Sequence, residues 1–406
     1  MIRFLIAISL LLGSLSCAAA QEFTGLARVL AEESRVTDGA RDRVELDLHL
    51  SQGVPYRIFT LDAPYRLVLD FQEVDWSGLD RARFDQSAQV ETVQMGTYVP
   101  GWSRMVVTLV TPMQVDKAGL ELDGASGAAH LRIVLQDIDE KTFSRNAGAP
   151  YDPRWDLPRP APLPHAVTRG PDTPLRVVLD PGHGGVDPGA EVDGVDEKTL
   201  MLTFARELRE MLLRSENFDV VLTRDDDYFV SLERRIALAH QAGADVFISL
   251  HADSLAEGQA HGATVYVLST EASDVASAKL AERHDRADLL AGADLSTTDD
   301  EITDVLLDLA RQETQPRTDA LSRTLVNGMA KAGGPMNRRP LRSAAFSVLK
   351  AADIPSVLIE IGFLSSPRDL KNLQDAEWRA QMAQGIRNGL EVWRMEDATR
   401  RPLVRH

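Results

Sequence analysis

The stretch LRVVLDPGHGGVDPGA, Leu175 to Ala190, sets a short apolar run directly against a turn rich in glycine and proline. The run has the length of a strand buried on both faces. The residues after it break regular structure and let backbone come close to a ligand or to another segment of chain. His183 is therefore delivered just past the carboxyl end of a strand. Ligands gather at that edge of an α/β sheet.

Downstream, strand and helix patterns alternate. EKTLMLTFARELREMLL places Leu200, Phe204, Leu208 and Leu212 on one helical face, FDVVLTR reads as the next strand, and LERRIALAHQAG reads as a second helix. ADVFISL, GATVYVLS and IPSVLIEIGFL follow as strands. The fold class expected for residues 175–398 is α/β around a largely parallel sheet.

Within that frame His251 arrives past the end of ADVFISL as His183 does past LRVVLD. Glu197 opens the first helix on the face of Met201, Phe204 and Leu208, so its carboxylate points toward the sheet. Two histidines and a glutamate are a competent donor set for a catalytic zinc, with a fourth position left to water. Each residue also has a plainer reading. His183 serves a turn, Glu197 suits a helix amino terminus, and His251 ends a strand; it is their convergence on one edge that points to a site. Glu360, between Ile359 and Ile361, is a carboxylate in an apolar strand. Burial there requires compensation: either an ion pair with a buried arginine such as Arg235, or the role of a general base with a raised pKa beside the metal.

Upstream, residues 141–174 are dense in proline and form a semi-rigid linker. Such a linker divides the chain into two parts with few contacts expected between them. In residues 21–140 the apolar residues alternate, as Val44, Leu46, Leu48 and Leu50 do, which predicts a small all-β sandwich. His49 and His130 lie in it with no ligand-spaced cluster. Residues 1–20 carry Arg3, an apolar core and Ala18, Ala19 and Ala20, the layout of a secretory signal peptide cleaved after Ala20. Cys17 is the chain's one cysteine, so the mature protein would have no thiol; a lipoprotein cysteine is the alternative reading. A net charge of −17 argues against a nucleic-acid partner. No transmembrane segment is expected in the mature chain. Neither a G-x-S-x-G nucleophile elbow nor a phosphate-binding loop occurs.

VVLDPGHGGVDPGA, EKTL, LERRIALAHQAGADVFISLHAD and SVLIEIGFLSS, in that order, resemble the signature blocks of the zinc-dependent N-acetylmuramoyl-L-alanine amidases, bacterial cell-wall hydrolases. The resemblance spans about residues 175 to 394, and the sandwich is similar to the AMIN domain that precedes this catalytic domain in many members. It implies a periplasmic enzyme with one Zn2+, held by His183, Glu197 and His251, and with Glu360 as the catalytic glutamate. Arg235 matches the family's ordering arginine, whereas His240 stands where many relatives have asparagine. The implied reaction cuts peptidoglycan between N-acetylmuramic acid and the stem peptide's L-alanine, in wall remodelling and daughter-cell separation. The alternatives are a zinc peptidase acting within the stem peptide and an inactive wall-binding protein.

Residues 270–344 are longer than an ordinary connection and contain two helical patterns, AKLAERHDRADLLAG and EITDVLLDLARQ. A plain structural insertion is one reading; the resemblance implies the other, a regulatory insertion that covers the zinc cleft. Glu282, His284, Asp285 and Asp288 are the candidates for the autoinhibitory side chain. A LytM-type periplasmic activator would dock on Ile302, Val305, Leu306 and Leu309.

Overall fold

The computed structural model describes residues 27–40, 43–72, 74–99, 101–123, 126–149, 173–254, 260–285 and 301–400. Residues 1–20, most of the proline-rich linker and Asp288 lie outside that set, as do the side chains of Ile302, Val305, Leu306 and Leu309.

The amino-terminal part pairs two four-stranded antiparallel sheets. One runs in the order Arg35–Asp38, Val44–Leu50, Ala129–Asp137, Met113–Leu122; the other in the order Tyr56–Leu61, Arg66–Gln72, Trp102–Leu109, Val90–Val99. Alternation explains the first: Val44, Leu46, Leu48 and Leu50 point into the shared core while the residues between them are half-buried. His49 and His130 face each other across adjoining strands and stack with ring centroids 4.0 Å apart, outside any metal-sized cluster among the described residues.

The carboxy-terminal part is built on a six-stranded sheet. Leu175–Pro181 pairs in parallel with Phe218–Leu222 on one side and Val246–His251 on the other, and Val246–His251 pairs in parallel with Ser356–Glu360. Ala263–Leu268 joins antiparallel, and Met336–Ala344 closes the edge. The largely parallel order is what the alternating patterns require. Glu197–Leu213 covers one face through Met201, Phe204, Leu208 and Leu212, all fully buried. Ala376–Arg400 packs beside it through Ile386, Leu390 and Trp393.

Two features differ from expectation. The span 270–344 is more than an insertion: it holds the helix Val275–Asp285, then the helix Glu301–Lys331, whose later half buries Leu321, Leu325 and Met329 in the main core, and then the edge strand. The edge strand, MNRRPLRSA, is too polar to read as one, because only one of its sides pairs. The two parts of the chain are also in direct contact. Val186 N–H donates to the Thr97 carbonyl at 3.1 Å, Tyr98 stacks on Phe229, and Arg81 pairs with Glu191 at 2.7 Å. A proline-rich connection sets how the parts are tethered, not whether their surfaces match.

Candidate metal centre

Three adjoining segments meet at the carboxyl edge of the sheet. His183 follows its strand by two residues and adopts a left-handed φ of 59°, an uncommon state for a side chain other than glycine. Two contacts hold it there. Arg235 Nη2 donates to its carbonyl at 2.9 Å, and Asp187 Oδ2 lies 2.7 Å from its ring Nδ1. Glycine at 182 is obligatory, because a Cβ there would stand 2.2 Å from the His251 ring. This explains why the histidine is set among glycines: two imidazoles are brought together across a strand end with no room for a side chain between them.

Glu197 is fully buried at the first turn of its helix, whose cap is Asp196 accepting from Thr199 N. Its Oε1 accepts from Ala252 N at 2.8 Å and lies 3.0 Å from His251 Nδ1. Its Oε2 accepts from Ala190 N at 3.0 Å and lies 3.2 Å from His183 Nε2, without the alignment of a hydrogen bond. The nearest ligand atoms of His183, Glu197 and His251 all fall within 4.8 Å of one another.

The electrostatics match a cation site. Burial opposes charge on His183, yet Asp187 and Glu197 outweigh it and push the imidazole pKa well up. Burial likewise opposes the Glu197 carboxylate, but His183 and His251 hold its pKa well down. His251 is pushed down to about 3 by burial and by the neighbouring histidines, so its ring is neutral and available as a ligand. The field that favours a proton on His183 favours a dication equally. Donor chemistry, spacing and burial therefore fit zinc.

Glu360 stands on the next strand, fully buried. Its Oε2 accepts from Asp253 N at 3.0 Å, and its Oε1 has no hydrogen bond among the described residues. Burial and the charges of Glu197 and Asp253 push its pKa well above the ordinary carboxylate range. Arg235 is not its partner. Arg235 Nη1 instead donates to Asp180 Oδ1 at 2.6 Å, and the same carboxylate accepts from Thr223 and Ser249. Asp180, at the end of the His183 strand, thus anchors the arginine that fixes the histidine's backbone.

Of the side chains proposed from the helical insertion, one of the three described enters the site. His284 is buried, with its ring centroid 4.1 Å from that of His251 and its Nε2 3.6 Å from Glu360 Oε1. Glu282 is exposed, Asp285 accepts from Ser347 N at 3.0 Å, and Asp288 is outside the described residues. The cavity that His284 lines together with His183 and His251 measures about 20 Å³.

Sequence reasoning passed over two residues. Asp187 lies in the opening stretch itself, and a carboxylate four residues from a metal-type histidine was the available signal. Arg224, buried just past a strand end, donates to the Pro181, Gly182 and Lys198 carbonyls at 3.0, 2.8 and 2.8 Å. Only the folded chain brings those carbonyls to it.

Residues 177–392 match the family model described as N-acetylmuramoyl-L-alanine amidase, and residues 34–135 match the AMIN domain. The chain is 30% identical over 363 residues to N-acetylmuramoyl-L-alanine amidase AmiC of Neisseria meningitidis, covering 85% of this chain and 86% of that protein. It is 29% identical over 364 residues to an Escherichia coli AmiC, covering 85% of each. Against AmiA of Salmonella typhimurium it is 35% identical over 292 residues, covering 71% of this chain and 93% of that protein. With the match spanning both parts of the fold, the chain belongs to the N-acetylmuramoyl-L-alanine amidase family and carries an AMIN domain ahead of the catalytic one.

Proposed function

We propose that this chain is a zinc-dependent peptidoglycan hydrolase that cuts the amide between the lactyl group of N-acetylmuramic acid and the L-alanine of the stem peptide. The observation that carries the reading is the convergence of His183, Glu197 and His251 within 4.8 Å beside the buried Glu360. The first three residues would hold the metal. When bound, zinc supplies Lewis acidity toward a carbonyl oxygen and toward water. Glu360 takes the proton of the attacking water and passes it to the departing amine, a task suited by a pKa that burial and the neighbouring carboxylates raise above the ordinary range. Asp187 keeps the His183 ring in its working tautomer and orientation. Arg235 and Arg224 hold the backbone that presents it.

We also infer a closed resting state. His284 lies against His251 with its Nε2 3.6 Å from Glu360 Oε1, so its ring sits beside both the candidate ligand and the candidate base. It would leave when its helix is displaced, the role the resemblance gives to a LytM-type activator. The sandwich would hold the enzyme on peptidoglycan, in the periplasm of a dividing cell. No described helix is long and apolar enough to cross a membrane. Metal analysis of the purified full chain tests the core of this reading: close to one zinc per chain supports it, and a chain that takes up no zinc from a zinc buffer contradicts it.

A further inference from the structure

In a two-sheet sandwich the outer face of each sheet is normally left to water and reads as polar. The sheet of residues 56–109 breaks this rule. Along Arg66–Gln72 every residue but the last is buried. Leu67, Leu69 and Phe71 fill the sandwich core, while Val68, with Phe59, Leu61 and Val106, forms a second apolar cluster on the opposite face. What covers that face is the catalytic part, through Val186 and Phe229.

Val186 belongs to the glycine turn of His183, and Phe229 precedes the Val230 carbonyl that accepts from Arg235 Nε at 2.9 Å. Polar groups are spent on the same contact. Asp70 and Arg104 form a buried pair at 2.6 Å, the Arg104 guanidinium lies 3.6 Å from the Tyr98 ring centroid, and Tyr98 stacks on Phe229 at 5.9 Å with planes 17° apart. The backbones touch directly. Val186 N–H donates to Thr97 O, and a Cβ placed on Gly96 would stand 2.5 Å from the Gly185 carbonyl oxygen. Gly185 itself, at φ +57°, leaves no room for a side chain, since a Cβ there would lie 1.8 Å from Thr97 O.

We propose that the outer face of the 56–109 sheet is a positioning surface for the metal centre: by docking Gly96, Thr97 and Tyr98 on Gly185, Val186 and Phe229, the sandwich holds the turn that presents His183. Tyr98 and Thr97 are positioning residues. They reach the metal ligand through its turn and through Phe229, Val230 and Arg235. The sandwich is then more than a tether, because a wall contact that shifts its sheet shifts a zinc ligand. The inference rests on the zinc reading for its consequence, but the docking stands on the contacts alone.

The test uses the full chain and a wedge. Gly96→Ala removes no interaction and adds one methyl group against the Gly185 backbone; Gly119→Ala, where a Cβ would meet nothing within 4 Å, is the control. Hydrogen exchange of the metal-free chain should show the amides of residues 184–187 and 189 losing protection in Gly96→Ala alone. Competition with a chelator should show its zinc dissociation constant raised on the order of tenfold or more, as when a ligand's supporting contact is lost. If Gly96→Ala does not fold, Tyr98→Ala and Tyr98→Phe replace it: the first should weaken zinc retention and the second, which keeps the stacked ring, should restore it. Wild-type exchange or wild-type zinc affinity in the wedge variant, or equal loss in both Tyr98 variants, overturns the proposal. A wild-type chain that binds no zinc sinks the zinc reading instead, and the exchange result then decides the docking by itself.

Discussion

Glu360 stands opposite His251 in the register of two parallel strands, and Ile361 N–H donates to the His251 carbonyl at 2.9 Å. Backbone pairing, not a flexible loop, therefore fixes the distance between a metal-type ligand and the buried carboxylate beside it. Because the two side chains have separate supports, they should fail separately. Glu360→Gln should keep zinc at the wild-type level while turnover falls by about 10²- to 10⁴-fold, the usual worth of a general base. Loss of zinc from this variant, measured by metal analysis, would move Glu360 into the ligand set.

The ligands should behave in the opposite way. His183→Ala, Glu197→Ala and His251→Ala should each lose zinc and activity together, since a three-ligand site seldom survives on two. Asp187→Asn removes a charge and weakens the hold on the His183 ring but leaves all three ligands in place, so zinc affinity should fall by about 10- to 100-fold without vanishing. Chelator competition distinguishes the two classes, and full zinc occupancy in any of the three alanine variants contradicts the assignment.

His284 should restrain the enzyme. Its ring packs against His251 and lies 3.6 Å from Glu360 Oε1, so His284→Ala should raise basal hydrolysis of purified peptidoglycan by about tenfold for every ~1.4 kcal/mol by which those contacts favour the closed state. Deletion of residues 278–312 should do the same. Basal rates equal to wild type in both variants would return the segment to a purely structural role.

Much of the site is visible in the sequence because strands and helices impose periods. Apolar runs place His183 and His251 at strand ends, and the spacing of Met201, Phe204 and Leu208 turns Glu197 inward. The choice of His284 over Glu282 or Asp285 was not legible. Neighbours on a helix exchange faces with a shift of one residue, and only packing against Phe346 and His251 selects one. The docked sheet was hidden for a related reason. Asp70 in YRLVLDF looks like a solvent-facing residue; it is buried with Arg104, whose guanidinium lies on Tyr98, and Tyr98 in turn stacks on Phe229 from far along the chain.

His240 pairs with Asp353 at 2.7 Å. The hydrogen bond to Asp353 raises the His240 pKa above 6.5, and the same bond lowers that of Asp353 below 3.8. A raised histidine pKa stabilises the fold fully below its unfolded value and ceases to do so as pH rises through the folded one; a lowered aspartate pKa stabilises above its unfolded value and is lost on acidification. The pair thus contributes most between 3.8 and 6.5. His240→Asn should lower the melting temperature at about pH 5 more than at about pH 9. An equal loss at both would show that the pair's charge does not matter.

The bond that is cut defines the enzyme. Purified sacculi digested by the full chain with His284→Ala, to open the site, and analysed by mass spectrometry should release intact stem peptides beginning at L-alanine and leave glycan strands bearing free lactyl carboxyl groups. Stem peptides cleaved internally, with L-alanine still attached to N-acetylmuramic acid, would contradict the account.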